Sequence, residues 1–388
     1  MNINYCLSSL KEFGIVFTVR EAFNKKCIIS ETEVPADLSS RNARINIHLE
    51  GKMTGTPICF ITDSTYILPT LVAVNSLYIN KSSLTDYTVF VLIAGDITIC
   101  HRKAFEAINK KINLISVKTD QLFKEISHSP RGKHVSATSL IKFDLPEIFS
   151  QYDKLLYLDS DTLVQHDISD ILSLNMQTAY AAAVADTLIK PWFLKRLQLE
   201  QYFNSGVMLL NIKQMRNDRI RNRLIDYRLH ELNYYMDQDA FNVVFQKLPQ
   251  KKGGQNIIWL PFYYNFQVIS TSCFTVEEVC NKYNISVQNT WRELCDASSI
   301  IHFCSSHKPW EFDNLWGSEL WYDYYEKLPK QIRNKYPVFR EHHPAPGQEQ
   351  RNILSILSDN QITITKKAKE TANRIERCLK NKIVRRKC

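Results

Sequence analysis

The middle of the chain carries an apolar run that ends in two acids, Lys154-Leu-Leu-Tyr-Leu-Asp-Ser-Asp-Thr162. The apolar part predicts a buried strand, and in an extended backbone residues two apart project to the same side. Asp159 and Asp161 can therefore reach one hard cation at the edge of a sheet, such as Mg²⁺ or Mn²⁺. A simple turn after the strand is the alternative interpretation, because Asp is frequent in turns.

Strands and helices alternate along the chain on both sides of this stretch. Short apolar runs predict strands, and apolar residues at helical spacing predict helices. We predict strands over 58–62, 87–94, 112–117, 154–158 and 180–184, and helices over 66–78 and 98–110. This order is typical of an α/β domain with a largely parallel sheet, in which ligands bind beyond the carboxyl ends of the strands.

Three regions differ in pattern. Residues 1–54 form an N-terminal extension of unknown role, 55–325 form the α/β domain, and 326–388 form a C-terminal region. The 44% hydrophobic and 23% charged content is ordinary for a globular protein with a buried core. Because the apolar run Phe13–Val19 is too short for a secretory signal or a membrane span, we predict a cytoplasmic location.

The ten cysteines are scattered along the chain and include no Cys-x-x-Cys pair. This spacing disfavours a structural zinc site and a thioredoxin-like site. We therefore predict reduced structural thiols, and we expect Cys59 and Cys304, which lie inside apolar runs, to be buried.

Most of the positive charge lies at the end of the chain. Residues 366–388 contain ten basic and two acidic residues, so this tail carries +8 of the formal net charge of +9. Apolar residues recur at helical spacing at 364, 368, 372, 375, 379 and 383. Such a basic amphipathic helix suits an anionic membrane, and we predict peripheral binding to the inner face of the cell membrane. A solvated or docked tail is the alternative, and no nucleic acid is expected, because the tail has no aromatic residues to stack on bases.

Four further segments accompany the two acids. They are Ile58-Cys-Phe-Ile-Thr-Asp-Ser-Thr-Tyr-Ile-Leu-Pro69, Tyr202-Phe-Asn-Ser-Gly-Val-Met-Leu-Leu-Asn211, Met236-Asp-Gln-Asp-Ala-Phe-Asn242 and Ile301-His-Phe-Cys-Ser-Ser-His-Lys-Pro-Trp310. Together the five segments, over roughly residues 57–325, resemble glycosyltransferase family 8, which includes bacterial lipopolysaccharide galactosyl- and glucosyltransferases.

The resemblance implies a GT-A fold, which is a Rossmann-like α/β domain that binds a nucleotide-diphospho-sugar. It also implies a retaining hexosyltransferase that uses Mn²⁺, or Mg²⁺, with UDP-glucose or UDP-galactose as the donor. The implied acceptor is a glycan or glycolipid in the assembly of cell-surface polysaccharide or lipopolysaccharide.

The same resemblance implies roles for individual positions. Asp159, Asp161 and His302 match the metal ligands, and an imidazole among the ligands favours Mn²⁺ over Mg²⁺. Asp237 matches a carboxylate that holds sugar hydroxyls and Gln238 matches the residue under the anomeric carbon, so these two are the predicted catalytic residues. The predicted nucleotide- and sugar-binding positions are Asp63, Thr65, Lys142, Asp186, Asn204, Ser305 and Lys308.

Three of these positions depart from the family pattern. Thr65 stands where Asn is usual, Ser305 where Gly is usual, and Lys142 where Arg is usual. Lys keeps the charge of Arg but loses its bidentate fork. The departures motivate one alternative function, a nucleotide-sugar-binding protein without catalysis.

Other chemistry at the same acids gives two more alternatives. A nucleotidyltransferase on this fold would release pyrophosphate. A phosphatase of the haloacid dehalogenase type would need Thr or Val where Leu163 stands, which counts against it. For Asp237 and Asp239 the alternative role is structural, because acids stabilise the first turn of a helix.

Overall fold

The predicted strand before the two acids lies at the centre of a seven-stranded sheet. A computed structural model describes residues 55–118 and 137–338, apart from 232, 252, 253 and 287. The predictions for residues 1–54 and for the basic tail fall outside this range. The strands are β1 (Ile58–Thr62), β2 (Val89–Ala94), β3 (Asn113–Val117), β4 (Leu155–Leu158), β5 (Thr162–Val164), β6 (Ala181–Ala185), β7 (Phe203–Leu210), β8 (Ile257–Trp259), β9 (Phe266–Gln267) and β10 (Ile300–His302).

The strand order of the large sheet is β3-β2-β1-β4-β7-β6-β8. Pairing is parallel among β3, β2, β1 and β4 and again between β6 and β8, whereas β7 is antiparallel to both of its neighbours. The expected largely parallel sheet is confirmed, but the antiparallel strand β7 is not among the predicted strands. A second sheet has the order β5-β10-β9.

Helices lie between the strands, as the alternating pattern predicts. They are α1 (Ile67–Ile79), α2 (Ile99–Ile108), α3 (Ala137–Leu140), α4 (Leu145–Ile148), α5 (Ser169–Ser173), α6 (Pro191–Leu197), α7 (Ile212–Asn217), α8 (Ile220–His230), α9 (Met236–Lys247), α10 (Ser270–Cys273), α11 (Val276–Tyr283), α12 (Trp291–Asp296), α13 (Ser318–Glu326) and α14 (Lys330–Lys335). Two 3₁₀ helices cover Ile141–Asp144 and Phe262–Tyr264. Between Gly55 and Val338, no helix in the described residues is both long and apolar enough to cross a membrane.

The local sequence accounts for the elements that carry the site. All five residues of β1 are buried, as expected for a parallel strand that is covered on both faces. In α1, ten of the thirteen residues are buried, so this helix packs on nearly all sides. Thr98 caps α2, because its side chain accepts a hydrogen bond from the backbone N–H of His101.

The core joins the sheet to the helices that follow β7. Phe241 of α9 packs edge-to-face on Phe143 at 5.4 Å between ring centroids, and Phe245 stacks near Tyr180 at the same distance. Aromatic pairs in these arrangements add to the stabilisation that apolar burial supplies. Phe245 also stacks on Phe203 at 6.3 Å, so the core holds α9 against β7, and several of the predicted site residues lie in these two elements.

The six cysteines that the structure describes are free thiols, and Cys59 is buried in β1. The expectation of burial is wrong for Cys304, which is partly exposed. It lies two residues after His302, the last residue of β10, and is therefore outside the strand.

The chain divides into two compact units. Of the described residues, 306–319 belong to the second unit and all others to the first. Eleven of the twelve predicted site residues lie in the first unit, and Lys308 lies in the second.

Candidate active site

The two acids Asp159 and Asp161 lie in the short connection between β4 and β5. The residue between them, Ser160, is buried, and its hydroxyl donates to the carbonyl oxygen of Ile61 in β1 at 2.9 Å. The hydroxyl of Thr70 in α1 lies 2.9 Å from the same Ser160 oxygen. The middle residue of the motif therefore anchors the connection to β1 and α1 and fixes the position of the two flanking carboxylates.

His302 reaches these acids because of the small sheet. It is the last residue of β10, which pairs antiparallel with β5 so that His302 stands opposite Thr162, next to Asp161. The Nε2 atom of His302 is 3.2 Å from Oδ1 of Asp161 and 3.7 Å from Oδ2 of Asp159. One potential ligand atom from each of the three residues lies within 4.8 Å of the others. The structure thus brings together the three predicted metal ligands.

The other ring nitrogen of His302 contacts a residue that the sequence analysis does not single out. Nδ1 of His302 lies 3.1 Å from Oδ1 of the buried Asn265. An amide oxygen only accepts hydrogen bonds, so Nδ1 carries a proton, and in the neutral ring Nε2 then has the lone pair on the side of the two carboxylates. This is the tautomer that a metal-binding histidine requires.

Gly206 packs so closely on these ligands that no larger side chain fits at its position. A Cβ atom at this position would lie 2.1 Å from Cε1 of His302 and 2.7 Å from Oδ2 of Asp159. Two carboxylate oxygens and an imidazole nitrogen within 4.8 Å of one another fit a divalent cation, and the nitrogen ligand suits Mn²⁺. The sequence offers one signal for this residue, since a glycine inside a strand often marks a close approach.

Lys142 lies between the metal ligands and the predicted catalytic acid. Its Nζ is 3.1 Å from Oδ1 of Asp159 and 2.9 Å from Oδ2 of Asp237, and its side chain is only 4% exposed. Burial alone would lower the pKa of Lys142, but the charges of Asp159 and Asp237 outweigh burial and raise it above its ordinary value. The ammonium also lies over the ring of Tyr157, whose hydroxyl donates to Asp159 at 2.6 Å.

Tyr157 is a site residue that the sequence analysis does not identify. It lies in β4, two residues before Asp159, which directly follows the strand, so the alternation of side chains in extended backbone places both on one face. Burial and the neighbouring carboxylate of Asp159 raise the pKa of Tyr157, which keeps its hydroxyl protonated as a donor. The alternation that pairs the two acids could have identified this residue.

The predicted sugar-binding residues form a second group that is held together by amides. Oδ2 of Asp186 accepts from Nδ2 of Asn204 at 3.2 Å and from Nε2 of Gln238 at 3.1 Å. Oε1 of Gln238 accepts from the backbone N–H of Ser205 at 2.9 Å, and the Ser205 hydroxyl donates to Asp237 at 3.2 Å. Four predicted residues, one directly after β6 and the others in β7 and α9, therefore meet in one hydrogen-bonded cluster.

An irregularity in β7 brings this cluster together. Ala183 of β6 pairs with Met208 and Ala185 pairs with Phe203, so five steps along β7 correspond to two along β6. The three additional residues fall in the segment 204–207, which includes Gly206. Such bulges redirect side chains and are frequent next to active sites.

The predicted nucleoside-binding residues lie beside β1. Oδ1 of Asp63 accepts from the backbone N–H of Thr65 at 2.9 Å, from its hydroxyl at 2.6 Å, and from the N–H of Tyr66 at 3.3 Å. Oδ2 accepts from the hydroxyl of Thr138 at 3.1 Å. Asp63 and Thr65 are therefore brought together in a turn before α1, and their contact with a nucleoside stays a prediction.

The two predicted diphosphate-binding residues follow β10. Ser305 lies three residues after His302 and is partly exposed. Lys308 lies in the second unit, where its carbonyl oxygen accepts from the backbone N–H groups of Glu311 and Phe312, each at 3.0 Å. Their contacts with a diphosphate stay predictions.

Asp239 has a structural role, in agreement with the alternative interpretation. Its fully buried carboxylate accepts from the hydroxyl of Tyr202 at 2.5 Å and from the backbone N–H of Tyr235 at 3.0 Å. Burial raises the pKa of Asp239, and these hydrogen bonds oppose the rise. The contacts fix the turn into α9, where Met236 adopts a left-handed backbone with φ of 52°. Asp237 differs, because its carboxylate faces Lys142 and Ser205.

The match to a protein family covers the part of the chain that forms this site. The model of glycosyl transferase family 8 matches residues 57–314, which is more than half of the chain. The chain is 30% identical over 168 residues to the lipopolysaccharide 1,2-glucosyltransferase of Escherichia coli, an alignment that covers 41% of this chain and 44% of that protein. It is 24% identical over 219 residues to a putative glycosyltransferase of Haemophilus influenzae, with 52% and 63% covered. The chain thus spans about half the length of these two relatives.

Two solved structures share the fold. The galactosyltransferase LgtC, in complex with donor and acceptor sugar analogues, superposes with a TM-score of 0.55 at 24% identity over 72% of this chain and 100% of that one. The bifunctional glycosyltransferase WbbM superposes with a TM-score of 0.56 at 19% identity over 74% of this chain and 53% of that one. The α/β architecture and these neighbours show the expected GT-A fold.

Proposed function

The chain belongs to glycosyltransferase family 8, and we propose that it transfers glucose or galactose from the UDP-sugar to a glycan or glycolipid with retention of the anomeric configuration. We further propose that residues 55–325 form the catalytic domain and that the acceptor belongs to cell-surface polysaccharide or lipopolysaccharide assembly. The assembled Asp159, Asp161 and His302 group is the observation that supports this proposal best.

The proposed metal site serves the leaving group. A divalent ion held by these three residues would neutralise charge on the departing diphosphate. We propose Mn²⁺, because one of the three ligands is an imidazole. Lys308, a flexible cation, would contribute to the same stabilisation. Asp63 and Thr65 would hold the nucleoside from the turn after β1.

The amide cluster serves the sugar. Asp186, Asn204 and Asp237 would bind sugar hydroxyls, and Gln238 would lie under the anomeric carbon. Gln238 is held at both ends of its amide, by Asp186 and by the N–H of Ser205. An amide in that position is a poor nucleophile, so it supports attack of the acceptor from the side of the leaving group, which retains the configuration.

The decisive experiment measures product release from the full chain. UDP-glucose and UDP-galactose are each incubated with the chain and Mn²⁺, and UDP is quantified with and without excess chelator. We expect UDP release that chelator abolishes, and NMR of the glycoside should show the same anomeric configuration as the donor. Release of pyrophosphate or phosphate would instead favour the nucleotidyltransferase or phosphatase alternative, and binding without release would favour the non-catalytic one.

A matched pair of variants tests the metal ligands directly. Asp159→Asn removes a proposed ligand and should lower UDP release by orders of magnitude, because charge stabilisation of the leaving group is the largest contribution to rate. Asp153→Asn changes an exposed acid before the same strand β4 and should leave the rate unchanged. Equal rates for the two variants would contradict the proposed metal site.

We also propose that the basic tail binds the inner face of the cell membrane. Ten basic residues against two acids in 366–388 support this, since each basic residue near an anionic surface contributes about 1 kcal/mol. The full chain should sediment with vesicles of anionic lipid, and replacing its tail lysines by glutamine should release it while UDP release continues. Unchanged sedimentation of that variant would refute the proposed membrane contact.

A further inference from the structure

Asn265 lies at a point where the metal group and the amide cluster meet. It stands directly between the 3₁₀ helix Phe262–Tyr264 and β9 and is fully buried. The two ends of its amide make different contacts. Oδ1 faces Nδ1 of His302 at 3.1 Å, and Nδ2 donates to Oδ1 of Asn204 at 3.0 Å.

The neighbouring contacts leave only one orientation for this amide. The carboxylate of Asp186 only accepts and the backbone N–H of Gly206 only donates. Asn204 must therefore turn its Nδ2 to Asp186, at 3.2 Å, and its Oδ1 to Gly206, at 3.0 Å. Asn265 must then present its NH₂ to Asn204 and its oxygen to His302.

The consequence for the imidazole follows from this order of donors and acceptors. Because Asn265 presents an oxygen, Nδ1 of His302 must carry a proton. In the neutral ring, Nε2 then keeps the lone pair that a metal ion needs. The contacts from Asp186 through the amides of Asn204 and Asn265 thus set the orientation of the imidazole. In these contacts the partner of Nδ1 is an uncharged amide.

We propose that Asn265 is a positioning residue that holds His302 in its metal-binding tautomer and ties the metal group to the donor-sugar residue Asn204. The inference rests on the proposed function, because it takes the three-residue group to bind Mn²⁺ and Asn204 to contact the donor sugar. It predicts that one side chain affects both metal affinity and the preference for a sugar-bearing nucleotide.

Two substitutions separate the two contacts of this amide. Asn265→Ala removes both. We expect the dissociation constant for Mn²⁺ to rise roughly 10- to 100-fold, as for other residues that hydrogen-bond to a metal-binding histidine. Asn265→Asp keeps an oxygen for Nδ1 of His302 but replaces the donor to Asn204 with an acceptor. Its Mn²⁺ affinity should stay near that of the wild type, while its affinity for UDP-sugar relative to UDP should fall roughly 2- to 10-fold, the equivalent of one hydrogen bond.

The experiment measures the binding of Mn²⁺ and of nucleotides, without any measurement of sugar transfer. The full chain is titrated with Mn²⁺ alone, and free Mn²⁺ is read by electron paramagnetic resonance. UDP, UDP-glucose and UDP-galactose are then titrated calorimetrically in saturating Mn²⁺. Asn256→Ala is the matched control, since Asn256 is also buried and its Nδ2 donates to the carbonyl of Leu248 away from the site. Thermal unfolding of each variant checks that the fold is retained.

The possible outcomes distinguish this inference from the proposed function. Loss of Mn²⁺ affinity in Asn265→Ala but not in Asn265→Asp or Asn256→Ala supports it. Wild-type Mn²⁺ affinity in Asn265→Ala, or equal loss in Asn265→Asp, overturns the inference alone if His302→Ala still loses binding. A wild-type chain that binds Mn²⁺ no better than His302→Ala overturns the proposed metal function and the inference with it.

Discussion

The two halves of the large sheet contribute to the site in different ways. In the β1 half (β3-β2-β1-β4), acids directly follow strands, with Asp63 after β1 and Asp159 after β4. In the β7 half (β7-β6-β8), Asn204 and Ser205 lie inside a strand, where the register of β7 and β6 shifts. The acids after β1 and β4, like Asp186 after β6, are thus apparent from their position in the sequence, whereas the roles of Asn204 and Ser205 are apparent only once the pairing is known.

The chemistry of the two halves differs as well. The β1 half supplies two of the carboxylates that contact His302, a group suited to a cation. The β7 half, with the start of α9, supplies side-chain amides that donate to the carboxylate of Asp186 and accept from the backbone N–H of Ser205, a group suited to an uncharged sugar. Lys142 connects the two, because it contacts both Asp159 and Asp237.

The largest expected effect comes from adding one methyl group where the halves touch. Gly206 belongs to β7, and a Cβ there would overlap His302 and Asp159. The backbone of Gly206 lies outside the left-handed region, so Gly206→Ala has no backbone strain and acts through this overlap alone. We expect no measurable Mn²⁺ binding and a loss of UDP release of about a thousandfold or more, equivalent to roughly 4 kcal/mol of transition-state stabilisation.

The control for Gly206→Ala is a check that the variant stays folded in chelator. If the fold is retained, near-ultraviolet circular dichroism should match that of the wild type, and only metal binding and UDP release should be lost. Normal Mn²⁺ affinity in a folded Gly206→Ala variant would show that the ion does not lie between the two halves.

Lys142 provides the second test, because it neutralises one acid from each half. Lys142→Ala leaves Asp159 and the buried Asp237 without this cation, and breaking such a pair costs about 3 kcal/mol, the low end of the usual range because the Asp159 side chain is 28% exposed. We expect this loss in the free energy of unfolding measured by denaturant in chelator, with part of it restored by Mn²⁺.

Lys142→Arg is the matched control for the charge. It keeps the cation in a buried position, so the remaining cost is that of fitting a larger group, about 1–3 kcal/mol. Stability of Lys142→Ala equal to that of the wild type would contradict the role of Lys142 in joining the halves.

Most of the β1 half could be predicted from the sequence. The bounds of β1 agree with the prediction, and β2, β3 and β4 differ from it by one or two residues at their ends. The pairing of Asp159 with Asp161 followed from strand geometry. His302, 141 residues beyond Asp161, followed only from the family resemblance, because the sheet that places it opposite Thr162 is formed by pairing between distant strands.

The β7 half could not be predicted in the same way. The apolar run at residues 207–210 does not show that β7 is antiparallel, and the polar residues before it do not show how far its register shifts. Asn265 has no signal in the sequence, because an amide is assigned a role only by the donors and acceptors that the fold brings to it. The error for Cys304 has a similar origin, since an apolar run does not show where a strand ends.

The smallest expected effect concerns Thr65, one of the departures from the family pattern in the β1 half. Its hydroxyl donates to Asp63, but the same carboxylate also accepts from two backbone N–H groups and from Thr138. Thr65→Ala therefore removes one of four contacts at an exposed position, at a cost of about 1 kcal/mol or less. The dissociation constant for UDP, measured by calorimetry in saturating Mn²⁺, should rise no more than about fivefold. Ser64→Ala, a change in the exposed neighbour, should leave it unchanged. A loss of a hundredfold or more in Thr65→Ala would mean that the hydroxyl contacts the nucleotide itself, and the β1 half would then depend on a side chain that its strand pattern does not reveal.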